Sequence, residues 1–275
     1  MKKFLALMLV SILALSLVAC GTNNAGTETV DYAVSVAGAS VVAEAGSAGE
    51  ELATGDAFFG DATFTPVDSM AKALMEVHAG TAKIAIVDYV TSIGSIGEGT
   101  DYAALKVVEG KDFSPEEYGI AFRKGSDLTP AVNAAIAELA ADGTMDKIGA
   151  TYKLDKLLIK DGKASDDAVV EGDLAAIKEK GEMVIGMTLF APMNYYNESN
   201  ELIGFETEFA KAVCEKLGVA AKFVEINWDA KEIELNSKNI DCIWNGMTIT
   251  PERQENMSIS VPYMQNKQVM VYKAQ

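Results

Sequence analysis

Short apolar runs alternate with amphipathic helical segments along most of this 275-residue chain. The run at residues 83–87 has the length and composition of a buried strand, and a helical period over 69–78 precedes it. A second helical period, at 205–217, places apolar side chains four residues apart. Strands that alternate with helices build layered folds with mixed or parallel sheets. The sequence therefore predicts an α/β fold, in two lobes that separate between residues 108 and 118.

The charge and the rare residue types exclude several classes of function. A formal net charge of -17 argues against nucleic acid or an anionic membrane surface as a partner. Three cysteines and one histidine leave little material for a metal site or a disulfide framework, so we expect no metal and no cofactor. Cys214 falls on an apolar helical face and Cys242 in a strand. Buried free thiols are the favoured interpretation, and a bond between them stays open.

The first twenty residues have the pattern of a targeting segment. Lys2 and Lys3 precede an apolar stretch, 4–19, that is short for a membrane span. The stretch ends in Leu-Val-Ala-Cys, which resembles the bacterial lipoprotein signal, cut before Cys20 with lipid on that thiol. We expect a signal peptide at 1–19, a lipid-anchored flexible tether at 20–30, and a position at the outer face of the cytoplasmic membrane. An uncleaved anchor helix is the alternative.

The most informative stretch for function is 241–253, a strand-like run that ends in a turn and a helix start. Gly246 lets the backbone approach a ligand, and Pro251 suits the first turn of a helix. Arg253 follows Thr248 by five residues. A guanidinium offers two parallel hydrogen bonds to a carboxylate, and a threonine hydroxyl adds a neutral donor. The alternative is a surface arginine in a solvated helix.

Two features in the first half of the chain can likewise be interpreted as ligand-binding residues or as structural ones. Ser47 and Ala48 follow Gly46 at a helix start, where free N–H groups favour an anion, although Ser47 could be a plain helix cap. Asp88 follows the strand at 83–87, and ligands of open α/β sheets bind just beyond strand ends. It could equally cap a helix.

Several sequence motifs of this chain resemble those of a known protein family. Residues 170–275 are similar to the first half of extracytoplasmic amino-acid-binding proteins of ABC importers, family 3 solute-binding proteins. The motifs are GEMVIG, FAPMNY, IGFETEFAKAVCEKLGV and KNIDCIWNGMTITPERQENMSIS. Residues 36–154 are similar to the second half, through ASVVAEAGSAGEELA, AKIAIVDY, EEYGIAFRKGSD and ELAADGTMDKIGATY. The resemblance implies a two-lobed periplasmic-binding-protein-like fold of type II, with the ligand cleft between the lobes.

The halves stand in the reverse of the family order, which implies a circular permutation. On this interpretation the smaller lobe is 31–112 and the larger lobe is 113–275, with a permutation linker at about 153–173. Only one covalent crossover between the lobes, near residues 113–118, is then expected.

The resemblance also implies a role for individual residues at the carboxylate end of an amino acid. Arg253 would clamp the α-carboxylate, with help from the Thr248 hydroxyl and from N–H groups near Ser47 and Ala48 in the other lobe. Many relatives have a hydroxyl residue where this chain has Ala48, so its contribution shrinks to the backbone.

At the other end, the resemblance implies that Asp88 takes the α-ammonium together with the Gly246 carbonyl and Thr248. Phe190 and Trp228 would flank the ligand side chain as aromatic walls, or would belong to the core. The loop that contains Phe190 is one residue shorter than in common relatives.

The implied function is capture of a free L-amino acid, polar or cystine-like, and its delivery to an ABC transporter permease by a monomer. A lipoprotein that presents an amino acid to a receptor is an alternative, as is an enzyme similar to cyclohexadienyl dehydratases. An enzyme would need an acid–base group in the cleft. We expect none, because the single histidine, His78, lies on a surface helix and Asp88 is needed for the ammonium.

Overall fold

The computed structural model describes residues 34–164, 169–170 and 172–274. The strands are β1 (Ser40–Glu44), β2 (Thr63–Val67), β3 (Ile84–Asp88), β4 (Leu105–Val107), β5 (Pro115–Arg123), β6 (Glu182–Met187), β7 (Tyr195–Tyr196), β8 (Leu202–Ile203), β9 (Ala220–Glu225), β10 (Cys242–Thr248), β11 (Met257–Ile259) and β12 (Met264–Lys273). The helices are α1 (Ala48–Gly55), α2 (Met70–Ala79), α3 (Tyr89–Ser95), α4 (Leu128–Ala141), α5 (Thr144–Thr151), α6 (Asp173–Lys180), α7 (Phe205–Leu217), α8 (Lys231–Asn236) and α9 (Pro251–Asn256). This mixed α/β architecture confirms the predicted fold class.

A continuous path of paired strands runs β2-β1-β3-β12-β5-β10-β6-β9, with β4 beside β12 and β11 beside β5. At the β2 end of this path, β1 pairs in parallel with β2 and β3. At the β9 end, β6 pairs in parallel with β9 and β10. The two parallel groups are the sheets of the smaller and the larger lobe, and the antiparallel pair β5–β12 lies between them.

Strand β12 belongs to both lobes. Its first part, residues 264–267, pairs with β5 from Tyr118 back to Pro115. Its second part, from Gln268 to Tyr272, pairs antiparallel with β3. The prediction that 113–275 forms the larger lobe with one crossover is therefore wrong at its C-terminal end. The sequence pattern gave only residues 268–272 as a strand and did not show which sheet they join.

Local signals account for the helix boundaries. Ser69 begins α2 by accepting the Lys72 N–H at 3.1 Å, and Gly80 ends it in the left-handed conformation at φ 82°. Helix α7 ends in the same way at Gly218, at φ 75°. An N-cap hydroxyl and a left-handed glycine satisfy backbone groups that a helix end leaves unpaired.

The core follows the apolar faces of these elements. A cluster in the smaller lobe joins β1 and β3 to Phe59 and Phe113, whose rings stack at 5.8 Å. In the larger lobe, Phe209 of α7 packs edge-on against Trp244 of β10 at 5.6 Å. Of the four apolar residues that the helical period predicted to be buried in α7, those at 205, 209 and 213 are buried, and Leu217 at the helix end is only partly buried.

The first part of the predicted linker is packed against the protein. Leu154 is buried, Leu158 bridges to Met264, and the Ile159 N–H donates to the Tyr263 carbonyl at 2.9 Å. A close contact joins Gly162 to Pro262. Residues 154–162 thus support the start of β12, and the permutation linker at about 153–173 stays a prediction.

Several predictions fall outside the described residues. The signal peptide at 1–19, the lipid site at Cys20 and the tether at 20–30 all do so, as do residues 165–168 and 171 of the linker. Within the described ranges, no helix combines the length and the apolar content that crossing a bilayer requires.

We predict that Gly204→Ala destabilises the fold. Gly204 has φ +127°, and a Cβ there would lie 2.1 Å from the Met193 carbonyl oxygen. Strain of this kind costs about 1–3 kcal/mol before the collision with backbone is added. Urea unfolding should show a loss of more than about 2 kcal/mol.

Gly55→Ala is the control, because nothing lies within 4 Å of a Cβ at that exposed position. Its free energy of unfolding should stay within about 0.5 kcal/mol of the wild type. Equal stabilities for the two variants would contradict this account of the Gly204 turn.

Candidate functional site

The turn after β10 places Arg253 as the sequence predicts. Thr250 begins α9 by accepting the Arg253 N–H at 3.2 Å, with Pro251 in the first turn. The guanidinium turns back, and Nη1 donates to the Thr248 carbonyl at 2.8 Å. Because Arg253 is only 5% exposed, its charge lies inside the protein. The interpretation of Arg253 as a solvated surface residue is therefore wrong.

The Arg253 guanidinium also reaches the smaller lobe. Nη2 donates to Glu51 Oε1 at 2.9 Å and to the Gly46 carbonyl at 3.4 Å. Glu51 belongs to α1 and its side chain is 55% exposed. A carboxylate from the opposite lobe thus pairs with Arg253 through a single charge-assisted hydrogen bond.

The sequence left open whether the start of α1 is a plain helix cap at Ser47 or a place where free N–H groups favour an anion. The Ser47 hydroxyl caps α1 by accepting the Glu50 N–H at 3.2 Å, and the Ser47 N–H donates to the Glu44 carbonyl at 3.2 Å. Ala48 lines a cavity of about 1050 Å³, together with Glu51 and Thr248. Ser47 is therefore a cap at the edge of the cleft, and Ala48 faces open space.

Asp88 ends β3 and is 2% exposed. Gln268 Nε2 donates to its Oδ1 at 2.5 Å, and the Tyr118 hydroxyl donates to its Oδ2. Burial, with the Glu116 carboxylate nearby as a second cause, raises the pKa of Asp88 to about 7. Asp88 precedes α3 without a side-chain cap bond, so the helix-cap alternative is wrong.

Glu116 of β5 connects Asp88 to the turn after β10. Its Oε2 accepts hydrogen bonds from Asn266 at 2.9 Å, Gln268 at 3.0 Å and the Thr248 hydroxyl at 3.2 Å. Burial is the main cause that raises the pKa of Glu116. Thr248 and Asp88 are therefore brought together through two side chains of the crossing strands.

The cavity wall contains some of the predicted residues and not others. Ala48 and Thr248 line it, with Glu116 and Gln268 between them. Arg253 and Asp88 lie one contact behind this wall, through Glu51 and Gln268 respectively. Two of the predicted residues thus line the cavity, one from each lobe, and two more contact residues of its wall.

The two predicted aromatic residues are both buried. Phe190 packs on Gly246, where an added Cβ would lie 2.9 Å from its ring. Gly246 has φ +56°, which favours glycine. Trp228 packs in the larger-lobe core with Ile243 and Met247. Both rings therefore have core contacts, as the alternative interpretation from the sequence allowed.

Glu206 holds the Gly246 turn. One carboxylate oxygen accepts the Gly246 N–H at 2.7 Å and the Tyr263 hydroxyl, and the other accepts Asn194 Nδ2 at 2.9 Å. Burial raises the pKa of Glu206 to about 7. Only the tertiary structure shows this residue to be a support of the site, because helix α7 gives no local sign of it.

Lys231 is a further cation that the sequence analysis missed. Its Nζ donates to the Gly46 carbonyl of the smaller lobe at 2.9 Å and to the Trp228 carbonyl at 3.3 Å. It also lies 5.1 Å from the centre of the Trp228 ring. Burial, followed by the Arg253 charge, lowers the pKa of Lys231 to about 8.

Glu44, the last residue of β1, is the other missed group. Burial, with the Asp88 charge as second cause, raises the pKa of Glu44 to about 8. A charged residue after the apolar run Val41 to Ala43, just before a Gly-Ser turn, was the available signal. Asn266 and Gln268 had no such signal, because residues 265–268 are all polar and only the structure shows that these two are buried.

The remaining rare residues have structural positions. Cys214 and Cys242 are free, buried thiols, and His78 is exposed at the end of α2. In the ranges that the structure describes, no group of three or more histidine, cysteine or acidic side chains is arranged to hold a metal ion.

Two lobes meet at a polar cleft and are joined by two strands, an architecture that permits hinge motion. Residues 183–275 match the family described as "Bacterial extracellular solute-binding proteins, family 3". The expectation of a family 3 solute-binding protein is thus confirmed for this segment. It contains the larger-lobe residues of the site, from Phe190 to Arg253.

Individual relatives agree with this family. The L-cystine-binding protein TcyJ of Escherichia coli (strain K12) is 36% identical over 94 residues, 34% of this chain and 35% of the relative. The ABC transporter arginine-binding protein 1 of the same organism is 30% identical over 99 residues, 36% of this chain and 40% of the relative. The matches therefore span between a third and two fifths of the length of these relatives.

A solved structure gives a local likeness. Domain 1 from TmArgBP, in an arginine-bound form, is 30% identical, over 36% of this chain and 84% of that chain, with a TM-score of 0.33. A TM-score this low carries no argument about the fold.

We predict that the unliganded protein becomes less stable as pH rises from about 5.5 to about 7.5. Asp88 and Glu206 have folded-state pKa values of about 7, above ordinary values of 3.8 and 4.5. The folded state therefore holds protons that the unfolded state has lost. The resulting stability is complete below the ordinary values and disappears as pH passes the folded ones.

Urea unfolding at several pH values measures this dependence. One carboxyl shifted by one pKa unit contributes about 1.4 kcal/mol, so a fall of at least that size is expected. Asp88→Asn should reduce the slope, because the amide does not ionise. A free energy of unfolding that rises over this interval would refute the assignment of buried, protonated carboxyls.

Proposed function

We propose that this protein is an extracytoplasmic solute-binding lipoprotein that captures a free L-amino acid between its lobes and delivers it to an ABC transporter permease. The observation that carries the proposal is the contact of Arg253 across the cleft. A buried guanidinium of the larger lobe already holds a carboxylate of the smaller lobe at 2.9 Å. A ligand carboxylate can replace Glu51, because Glu51 is exposed enough to return to water.

The carboxylate end of the ligand would use neutral donors as well. The Thr248 hydroxyl lines the cavity and now donates to Glu116 at 3.2 Å, a long bond that a ligand can replace. Ala48 presents its backbone at the start of α1, where helix geometry favours an anion. Ser47 would hold this helix start in place, since its hydroxyl caps the helix and its N–H donates to the Glu44 carbonyl.

The ammonium end would go to Asp88, with the Gly246 carbonyl and Thr248 nearby. Asp88 is now held by Tyr118 and Gln268. Gln268 has a second acceptor in Glu116, so it can leave Asp88 when an ammonium arrives. Burying a zwitterion is unfavourable unless each charge meets an opposite partner. Partners on two lobes couple binding to closure.

Phe190 and Trp228 would form the aromatic part of the wall around the ligand side chain. Their core contacts hold both rings in place, and pre-ordered groups lose little entropy on binding. The proposal gives no catalytic role to any residue, because Asp88 is used by the ammonium and His78 is exposed.

The proposed setting rests on the N-terminal segment and on the family. Signal cleavage before Cys20 and lipid attachment there would hold a monomer at the outer face of the cytoplasmic membrane. The family description is extracellular, which agrees with this setting. The circular permutation belongs to the same proposal. It is supported by the position of the family match, 183–275, behind a smaller lobe that precedes it in the chain.

We predict that Arg253→Ala and Asp88→Asn abolish amino-acid binding. Removing one partner of a buried charge pair costs about 2–5 kcal/mol, or more than about 30-fold in affinity. The ligand is found first, by thermal-shift screening of the wild type with the common amino acids and cystine, because a ligand that binds only the folded form raises the melting temperature. Isothermal titration then gives the affinity of each variant.

Glu252→Ala is the matched control for Arg253, because Glu252 lies on the exposed side of the same helix. It should bind as the wild type does. A wild type that no amino acid stabilises would refute the proposed function. Near-normal affinity in both site variants would refute the residue assignment.

A further inference from the structure

Glu44 is a buried carboxyl with an unused acceptor. It is 2% exposed, and in the described part of the chain its Oε1 has no hydrogen-bond partner. Buried polar groups in native proteins are almost always satisfied, so an unpartnered one calls for a missing water, ion or ligand group. Glu44 ends β1, and ligands of open α/β sheets bind beyond this end of a strand.

Both lobes surround the Glu44 carboxyl. Asp88 lies near it in the smaller lobe, and Thr188 and Lys231 approach from the larger lobe. The Thr188 hydroxyl donates to Asn245 Oδ1 at 2.7 Å, and its interaction with the Glu44 carboxyl lowers the pKa of Glu44 only in part against the effect of burial. Lys231 donates to the carbonyls of Gly46 and Trp228. Neither neighbour therefore provides Glu44 with a salt bridge.

Acidic side chains outnumber basic ones in the surroundings of Glu44. Glu44, Asp88 and Glu116 are acidic, whereas Lys231 is the cation near Glu44 and Arg253 is already paired with Glu51. A zwitterion with a neutral side chain would pair with Arg253 and Asp88 and would leave Glu44 without a counter-charge. A ligand with a second positive charge would satisfy Glu44.

We propose that Glu44 determines specificity, and that the ligand is an amino acid whose side chain ends in a cation, an ammonium or a guanidinium. This inference rests on the proposed function of the same cleft. A carboxylate side chain would face Glu44 with like charge. An apolar side chain would leave the Glu44 oxygen buried and unpaired, which is the costly arrangement.

The test compares isosteric ligands by isothermal titration at pH 7.5. Arginine is compared with citrulline, and lysine with norleucine, because each pair differs mainly in the charge of the side-chain end. We expect the better cationic member to bind at least 100-fold more tightly than its neutral partner. Glu44→Gln should weaken cation binding about 10- to 100-fold and narrow this ratio, with binding of the neutral member unchanged or improved.

Glu225→Gln is the matched control, because Glu225 also ends a strand but is exposed. Its affinities for the cationic and the neutral ligands, and the ratio between them, should equal those of the wild type. The melting temperature of Glu44→Gln should equal or exceed that of the wild type, since the amide removes an unpaired buried acid. The wild-type ratio alone tests the ligand class if that variant does not fold.

Proton release gives a second readout. At pH 6.5 the carboxyl of Glu44 holds a proton in the unliganded protein, since burial raises its pKa to about 8. A cationic side chain would displace that proton. Titrations in two buffers of different ionisation enthalpy should show up to one more proton released with arginine than with citrulline, and no difference in Glu44→Gln.

The outcomes separate this inference from the proposed function. Tight binding of neutral amino acids without preference for arginine or lysine would overturn the inference and leave amino-acid capture standing. Preference for a cation that persists unchanged in Glu44→Gln would overturn the role of Glu44. Failure of every amino acid to bind would remove the proposed function, and the inference with it.

Discussion

The antiparallel pairing of β5 with β12 is the constraint on which the cleft depends. Four residues of β12 pair with β5, and the next five pair with β3 in the other lobe. The step between these two sets of pairs places Asn266, Gln268 and Glu116 at the junction of the lobes. Cleft residues from either lobe, such as Asp88 and Thr248, therefore form hydrogen bonds with side chains of the strands that pass between the lobes.

Three buried carboxyl groups are the second feature of the site. Glu44, Asp88 and Glu206 are all more than nine-tenths buried, and burial is the largest cause of the raised pKa of each carboxyl. Their roles differ with their partners. Glu206 has hydrogen bonds to both oxygens and fixes the Gly246 turn. Asp88 is held by Tyr118 and by Gln268, which has a second acceptor in Glu116, and Glu44 keeps an unpaired oxygen. A carboxyl with spare bonding capacity is one that a ligand can use.

The sequence predicted what depends on neighbours along the chain. The ends of α2 at Ser69 and Gly80, the strand before Asp88 and the turn that aims Arg253 all follow from local chemistry. It did not predict which sheet β12 joins, because strand pairing is decided by residues more than a hundred positions away. Lys231 and Glu44 were missed for the same reason, since each is a polar residue whose burial depends on the opposite lobe.

On the proposed function, the strands between the lobes and the residues proposed to bind the ligand share side chains, and this has a physical consequence for closure. The chain Asp88, Gln268, Glu116 and Thr248 runs across the two crossing strands without a break. An ammonium that takes Asp88 from Gln268 changes the hydrogen bonds of β12 at the point where it passes between the lobes. A ligand cannot shift the equilibrium between the open and the closed state by more than the difference in its affinity for the two. On the proposed function, the exchanged hydrogen bonds would supply that difference in affinity. Ligand binding and the position of the hinge would then depend on the same hydrogen-bond network.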